Sequence, residues 1–206
     1  MQDALLSNIE DRAAPSDTYP LLGEPLAVEF ANTLFTDRGR PFDALTTRDA
    51  LARWLHANAE RIDAPLPGRL PRDAVDLARE LRATIRRLLA AAVDGEPPPA
   101  ATVRRLNEVA ALSRLTPRLR WSAAEPPKAC LSQSGAGRLE ALLALVAQSA
   151  IDVLGGSGAG RLRRCDAPGC INYYVKDHPR RAWCSPTCGN RVRVARHYQR
   201  RRRPAS

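Results

Sequence analysis

Four of the chain's five cysteines stand within one 24-residue stretch, spaced Cys165-x4-Cys170-x13-Cys184-x3-Cys188. Two close pairs a dozen or so residues apart offer a tetrahedral ion four thiolates, each pair presented by a tight turn. The run Asp166-Ala167-Pro168-Gly169 is turn chemistry, and residues 161–164 and 171–175 on either side can pair as strands, which predicts a knuckle at a hairpin tip. Ser185 followed by Pro186 reads as an N-cap and a first helical residue, so Cys184 precedes a helix and Cys188 lies in its first turn. Such a treble-clef arrangement lets one structural Zn2+ pin helix to hairpin in a segment too small to rest on a core of its own. With all four positions filled by protein, no place is left for a catalytic water. Four reduced, unliganded thiols are the competing reading, and His178 or His197 in place of one cysteine stays open as well. Cys130 lies far from the cluster in sequence and is expected as a small buried hydrophobe.

Charge divides the chain at the same place. Residues 1–160 carry 19 Lys and Arg against 20 Asp and Glu, whereas residues 161–206 carry 13 against 2. The basicity of the whole, net +10, therefore belongs to the tail. Four thiolates with one Zn2+ leave that segment near +9. From Pro186 the tail reads as a helix to about Arg203, roughly 27 Å long at 1.5 Å per residue. Val192 and Ala195, with Val194 and Tyr198 beside them, form its narrow apolar strip. Arg191, Arg193, Arg196, Arg200, Arg201, Arg202 and Arg203 occupy much of the rest, and no acid follows Asp177. A helix so charged repels itself unless an anion partners it, because cationic side chains gain by displacing counterions from phosphates. Duplex DNA is the leading partner. Arg191, Arg193, Arg196, His197, Arg200 and Arg201 are its candidate contacts, most of them to phosphate and one or two to guanine edges.

The remainder is a helical body. Hydrophobic residues make up 44% of the chain and aromatics only 5%, a balance that favours helices over a sheet built on aromatic pairs. Residues 1–20 have no period and read as a flexible arm. Leu26, Phe30 and Leu34 recur every fourth residue and predict a short helix stopped by Gly39 and Pro41. Thr46 or Thr47 caps the next helix, with Leu51, Trp54 and Leu55 buried; His56 beside them reads as half-exposed packing. From Pro71, a first helical position, Val75, Ala78, Leu81, Ile85, Leu88 and Ala92 trace the longest helix of this half. Val103, Leu106 and Ala110 mark another. Residues 118–123 and 128–132 alternate polar and apolar around Ala-Glu-Pro-Pro, as a hairpin does. Leu139, Leu142, Leu143, Val146, Ala150 and Val153 then describe a last helix, and four glycines among residues 155–160 read as a flexible linker. The fold class expected is mainly helical α+β: a helical domain over 21–154 with a small hairpin, a linker over 155–160, and a zinc finger over 161–206 that ends in a long basic helix.

Two stretches resemble known families. Cys188-Gly189-Asn190-Arg191 after Trp183-Cys184 is similar to the motif of the CGNR zinc fingers. Pro25 to Leu34, PLAVEFANTL, resembles the opening of the ABATE domain that accompanies such fingers in bacterial stress-induced regulators. The resemblance implies a zinc-binding, DNA-binding tail with Cys165, Cys170, Cys184 and Cys188 as ligands, although the x4 gap of the first pair is wider than an ordinary knuckle's. Asn190, whose amide can orient a metal ligand, and Trp183, which can shield the ion, are expected around the metal, with contact to DNA as the alternative for Asn190.

Glu29, Asn32 and Thr33 beside the first apolar face are candidates for a small-molecule pocket, which would make the body a sensor. Equally, they can cap or cross-link neighbouring helices. No phosphate loop, nucleophile elbow or H-E-x-x-H helix is present, so the chain is not expected to be an enzyme. The leading function is a zinc-dependent DNA-binding transcriptional regulator, with a homodimer as a guess from regulators that double their contacts. A zinc-stabilised RNA-binding or protein-interaction module and an enzyme with its pocket in the body are the alternatives. Neither a secretory signal nor a membrane span is read in the sequence, which suggests a cytoplasmic, nucleoid-associated protein.

Overall fold

The computed structural model describes residues 21–37, 39–62, 64–112, 115–122, 125–133 and 138–202, with backbone alone for 115–118, 120–122, 125–133 and 199–202. The expected arm over 1–20 lies outside the described residues. The chain is mainly helical α+β, with three two-stranded antiparallel hairpins among the described residues.

Helix α6 (Arg138–Gly155) is the centre of the body, burying Leu139, Leu142, Leu143, Val146, Ala150 and Val153 as its period requires. Helices α1 (Leu26–Ala31), α4 (Ala74–Asp94) and α5 (Ala100–Ala110) pack against it. Helix α2 (Arg48–Ala57) buries Leu51, Trp54 and Leu55, and Thr47 caps it by accepting from the Ala50 amide at 3.1 Å. His56 is exposed. The short α3 (Ala59–Ile62) follows. Helix α4 starts three residues later than Pro71, and its stripe fades in the last turn, where Ala92 is exposed. It ends on Gly95, whose φ of 72° lets Glu96 donate back to the Ala91 carbonyl at 3.0 Å.

The first helix is shorter than its period suggests. It stops at Ala31, where the Thr33 hydroxyl donates to the Phe30 carbonyl at 2.7 Å, and Leu34 opens a strand instead. Strands β1 (Leu34–Asp37) and β2 (Arg40–Asp43) make a hairpin with Phe35 opposite Phe42, their rings 5.1 Å apart. Gly39, at φ 82°, turns that hairpin rather than merely ending a helix. Strands β3 (Leu115–Ser122) and β4 (Glu125–Gln133) form the second hairpin, with an irregular register between Arg120 and Ser122. Pro126 and Pro127, expected in its turn, lie within β4 near that irregularity, where a missing N–H is tolerated. The backbone of Cys130 is in β4 opposite Arg118; its burial lies outside the described side chains.

After α6 the glycine-rich residues 155–160 form tight turns rather than open coil. Gly156 donates to Asp152 at 3.0 Å, Ala159 to Gly156 at 3.1 Å and Arg161 to Gly158 at 2.9 Å. Strands β5 (Leu162–Arg164) and β6 (Tyr173–Val175) follow, antiparallel, and helix α7 (Pro186–Arg202) closes the described chain. Leu162 and Tyr173 are buried in the same apolar cluster as α1, α4 and α6, so the hairpin β5–β6 is packed into the body. No helix of the described residues is long and apolar enough to cross a membrane.

Candidate metal centre and nucleic-acid interface

Four backbone segments bring the sulfurs together. Cys165 follows β5, and its amide donates to the Asn172 carbonyl at 2.9 Å. Cys170 closes a turn on Ala167, donating at 2.9 Å, with Gly169 at φ 72° making the bend. Thus the x4 gap still yields a knuckle. Cys184 precedes α7 and Cys188 lies in its first turn, where the Ser185 hydroxyl accepts from the Cys188 amide at 3.3 Å. The four Sγ atoms lie within 4.8 Å of one another. Cys170 and Cys184 are 3.8 Å apart, Cys184 and Cys188 3.5 Å, and Cys188 and Cys170 3.7 Å. A zinc tetrahedron with Zn–S near 2.3 Å has edges of about 3.8 Å, so the donor set fits one Zn2+.

The thiols themselves argue for a cation. Hydrogen bonds from Cys170 and Cys184 hold Cys165 far below the ordinary thiol value, at about 2. Its bond to that anion pushes Cys170 up to about 12, and Cys184 is raised further by the same neighbours. Four thiolates gathered this closely need a cation to offset their charge. With every position filled by sulfur, zinc here supplies structure, tying β5–β6 to α7. Neither histidine competes among the described residues: His178 Nδ1 accepts from the Arg180 amide at 3.1 Å and His197 is exposed on α7.

Around the sulfurs the structure reassigns two neighbouring residues. Asn190, expected to orient a ligand, is exposed, and no described group bonds its amide. Arg191, expected on phosphate, turns back instead: Nη2 donates to Cys188 Sγ at 3.1 Å and Nη1 to the Pro168 carbonyl at 3.2 Å. The physical reason is helical phase. Three residues after Cys188 puts Arg191 on the metal's side of α7, and two residues puts Asn190 on the far side. Trp183 stands where expected, packed with the cysteines. A Cβ on Gly189 would come within 2.9 Å of its Cδ1, so only glycine leaves the indole room.

Cys188 and Val192 form the packed face of α7. Asn190, Arg193, Val194 and His197 lie opposite them and are exposed, and Arg196, four residues beyond Val192, and Tyr198 are exposed as well. Arg193 and Arg196 have no carboxylate partner among the described residues. Arg200 and Arg201 lie in the helix, their side chains outside the described ones.

Residues 24–157 match the family model ABATE, described as "Putative stress-induced transcription regulator", and residues 161–201 match the CGNR zinc finger. The chain belongs to the ABATE family. No curated protein matches it.

The ABATE opening serves the seam with the finger. Asn32, 1% exposed, pairs with Tyr173 of β6 at both ends: Nδ2 donates to its carbonyl at 2.8 Å and Oδ1 accepts from its amide at 2.9 Å. Glu29 accepts from the amides of Leu22 and Glu24 at 2.8 and 2.9 Å, and the Thr33 hydroxyl also accepts from Arg82 at 3.0 Å. These bonds are the cross-links between neighbouring elements that stood as the alternative to a small-molecule pocket at these three. All three are buried, and Asn32, Thr33 and Oε1 of Glu29 bond within the chain. Burial raises the Glu29 carboxyl above its ordinary value, as it does that of Glu24.

Four further residues carry no sequence signal, three of them at the seam and one in the body. Glu24 accepts from the Val175 amide at 2.8 Å and pairs with Arg181, which also reaches the carbonyls of Val175, Trp183 and Cys184. Arg86 bridges the Ala31, Leu34 and Ile171 carbonyls at 2.9–3.2 Å, and lies 5.3 Å from the Tyr173 ring. Arg82 binds Asp43 through two bonds of 2.5 and 2.7 Å deep in the body.

Proposed function

We propose that this ABATE protein is a zinc-dependent transcription regulator that binds duplex DNA with α7. The observation that carries the reading is an outward face of α7 bearing Arg193 and His197, with Arg196 exposed beside it and no acid beyond Asp177, on a helix seated by the cysteine cluster. That face is cationic, solvent-exposed and pointed away from its own protein, which suits a phosphate ribbon. Arg200 and Arg201 extend the same run. Cytoplasmic, nucleoid-associated location follows from this reading.

In the same proposal residues 21–154 are the body, 155–160 the connection and 161–206 the finger. The body orients the finger through the seam and mediates assembly, as a homodimer, or takes a small effector at a place other than Glu29, Asn32 and Thr33. A single-stranded RNA partner is less well served. Such readers stack unpaired bases on aromatic platforms. Here Tyr173 and Tyr174 are buried and Trp183 is packed on Gly189, leaving Tyr198 as the one exposed Tyr or Trp ring among the described residues of the finger, with the imidazoles of His178 and His197 also exposed. The matched families, a regulator and a zinc finger, are not enzyme families.

The test is binding of labelled duplex and single-stranded pools across salt, before and after a strong chelator. Duplex affinity should fall about a hundredfold between 50 and 200 mM salt, as about four phosphate contacts require. Chelation should abolish sequence discrimination and leave weak attraction. Salt-insensitive binding, or a preference for unpaired strands, removes the proposal.

A further inference from the structure

The Cys188–Arg191 tetrad leaves one residue without work inside the protein. Cys188 belongs to the sulfur cluster, Gly189 makes room for Trp183, and Arg191 returns to Cys188 Sγ and Pro168. Ser185 already caps the helix start. Asn190 lies between Cys188 and Val192, two residues from each, and so about half a turn from the packed face. Its amide, exposed and without a partner among the described residues, stands at the middle of the outward face. His197, seven residues on, falls on the same line; Arg193 and Val194 flank it one turn along.

We propose that Asn190 is the base-reading residue of α7, donating to N7 and accepting from N6 of an adenine in the major groove. The inference rests on the duplex-binding reading of α7. Three physical points lead to adenine at this position. A carboxamide offers one donor and one acceptor side by side, the complement of the adenine edge, whereas the arginines around it match guanine or phosphate. Asn190 is the fifth residue of α7, and recognition helices touch bases with their N-terminal residues while later ones follow the backbone. Its short side chain requires close approach, which the zinc-seated first turns of α7 can hold in place better than the arginine-rich end. Arg193, next to it, fixes register on phosphate, and Arg196 extends that contact.

The experiment uses the full-length, zinc-loaded chain. Wild type first enriches sequences from a randomised duplex pool, and the selection is repeated with Asn190→Ala and Asn190→Asp. For wild type, replacing the one selected A·T pair by G·C should weaken binding roughly ten- to a hundredfold. For Asn190→Ala that gap should fall below about threefold while binding to unselected duplex, its salt slope, zinc content and melting stay as in wild type. Asn190→Asp, which accepts only, should move the preference at that one pair toward cytosine. A merely structural asparagine would not produce that change of base. Wild type that binds duplex with a selected motif that Asn190→Ala reproduces unchanged overturns the inference and leaves duplex binding standing. Loss of zinc in both variants also overturns it, returning Asn190 to the metal. Wild type that binds no duplex overturns both readings.

Discussion

In the ABATE body, helices α1–α6 gather a core of mostly aliphatic side chains, whereas the second buried cluster among the described residues consists of Cys165, Ala167, Tyr174, Cys184, Cys188 and Val192. Half of that smaller core is sulfur. The body therefore draws its stability from apolar area spread over many residues, so that single losses are partial. The finger concentrates its stability in one ion, worth about 10–16 kcal/mol in apparent terms for small zinc modules. Loss of that ion is total for the finger. Cys184→Ser or chelation should thus release zinc and remove the helical signal of α7 in far-ultraviolet circular dichroism. The body's cooperative melt should persist, lowered because Leu162 and Tyr173 share its core. A melt that vanishes with the zinc would show that the two regions fold as one.

The body has its own concentrated point. Arg82 and Asp43 are both buried and bonded at 2.5 and 2.7 Å, with Arg79 Nε 3.1 Å from Asp43. Asp43→Asn leaves a guanidinium without its counterion and should cost about 3–5 kcal/mol in denaturant melts, with zinc content unchanged. Burial opposes ionisation of Asp43, but the Arg82 bonds and charge outweigh it, so the carboxyl sits below its ordinary 3.8. A lowered carboxyl stabilises the fold fully above the unfolded value and loses that contribution as pH falls through the folded one. The stability gap between wild type and Asp43→Asn should therefore be widest above about pH 4 and close in stronger acid. A gap independent of pH would assign the loss to packing instead.

Between the two regions lies the seam. Asn32→Ala leaves the buried amide and carbonyl of Tyr173 unpaired and should cost about 2–3 kcal/mol. It should speed hydrogen exchange at Tyr173 and hasten zinc transfer to a chelator, since β6 carries one side of the knuckle. Unchanged zinc transfer would mean the finger holds its shape without the body.

Legibility from sequence followed the same division. Helix α6 could be read because apolar residues recur at one period, and the metal site because four residues of one chemistry fall in two close pairs. The hairpin β1–β2 was hidden because Leu34, four residues after Phe30, also suits a helix; the signal that argues otherwise is Phe35 and Phe42 placed about Gly39. Arg82 and Arg86 interrupt the apolar stripe of α4, and Arg181 sits in a tail full of arginines. Each gains meaning only from a distant carboxylate or carbonyl that no local pattern names. That Asn190 faces outward and Arg191 toward the sulfurs was legible in principle, since their offsets from Cys188 place them on opposite sides of α7.

Two arginines of α7 supply the smallest and sharpest contrast. Arg191 and Arg193 are two residues apart with the same side chain, yet one donates to Cys188 Sγ and the other faces solvent. A hydrogen bond to a metal-bound thiolate draws off part of its charge and holds the ligand in place. Arg191→Ala should accordingly raise zinc loss to a chelator roughly tenfold while the salt slope of duplex binding stays as in wild type. Arg193→Ala should leave zinc loss alone and reduce that slope by about one, the share of a single phosphate contact. If both variants lowered the slope equally, Arg191 would leave the sulfur for DNA on binding, and the inward contact would belong to the free protein alone.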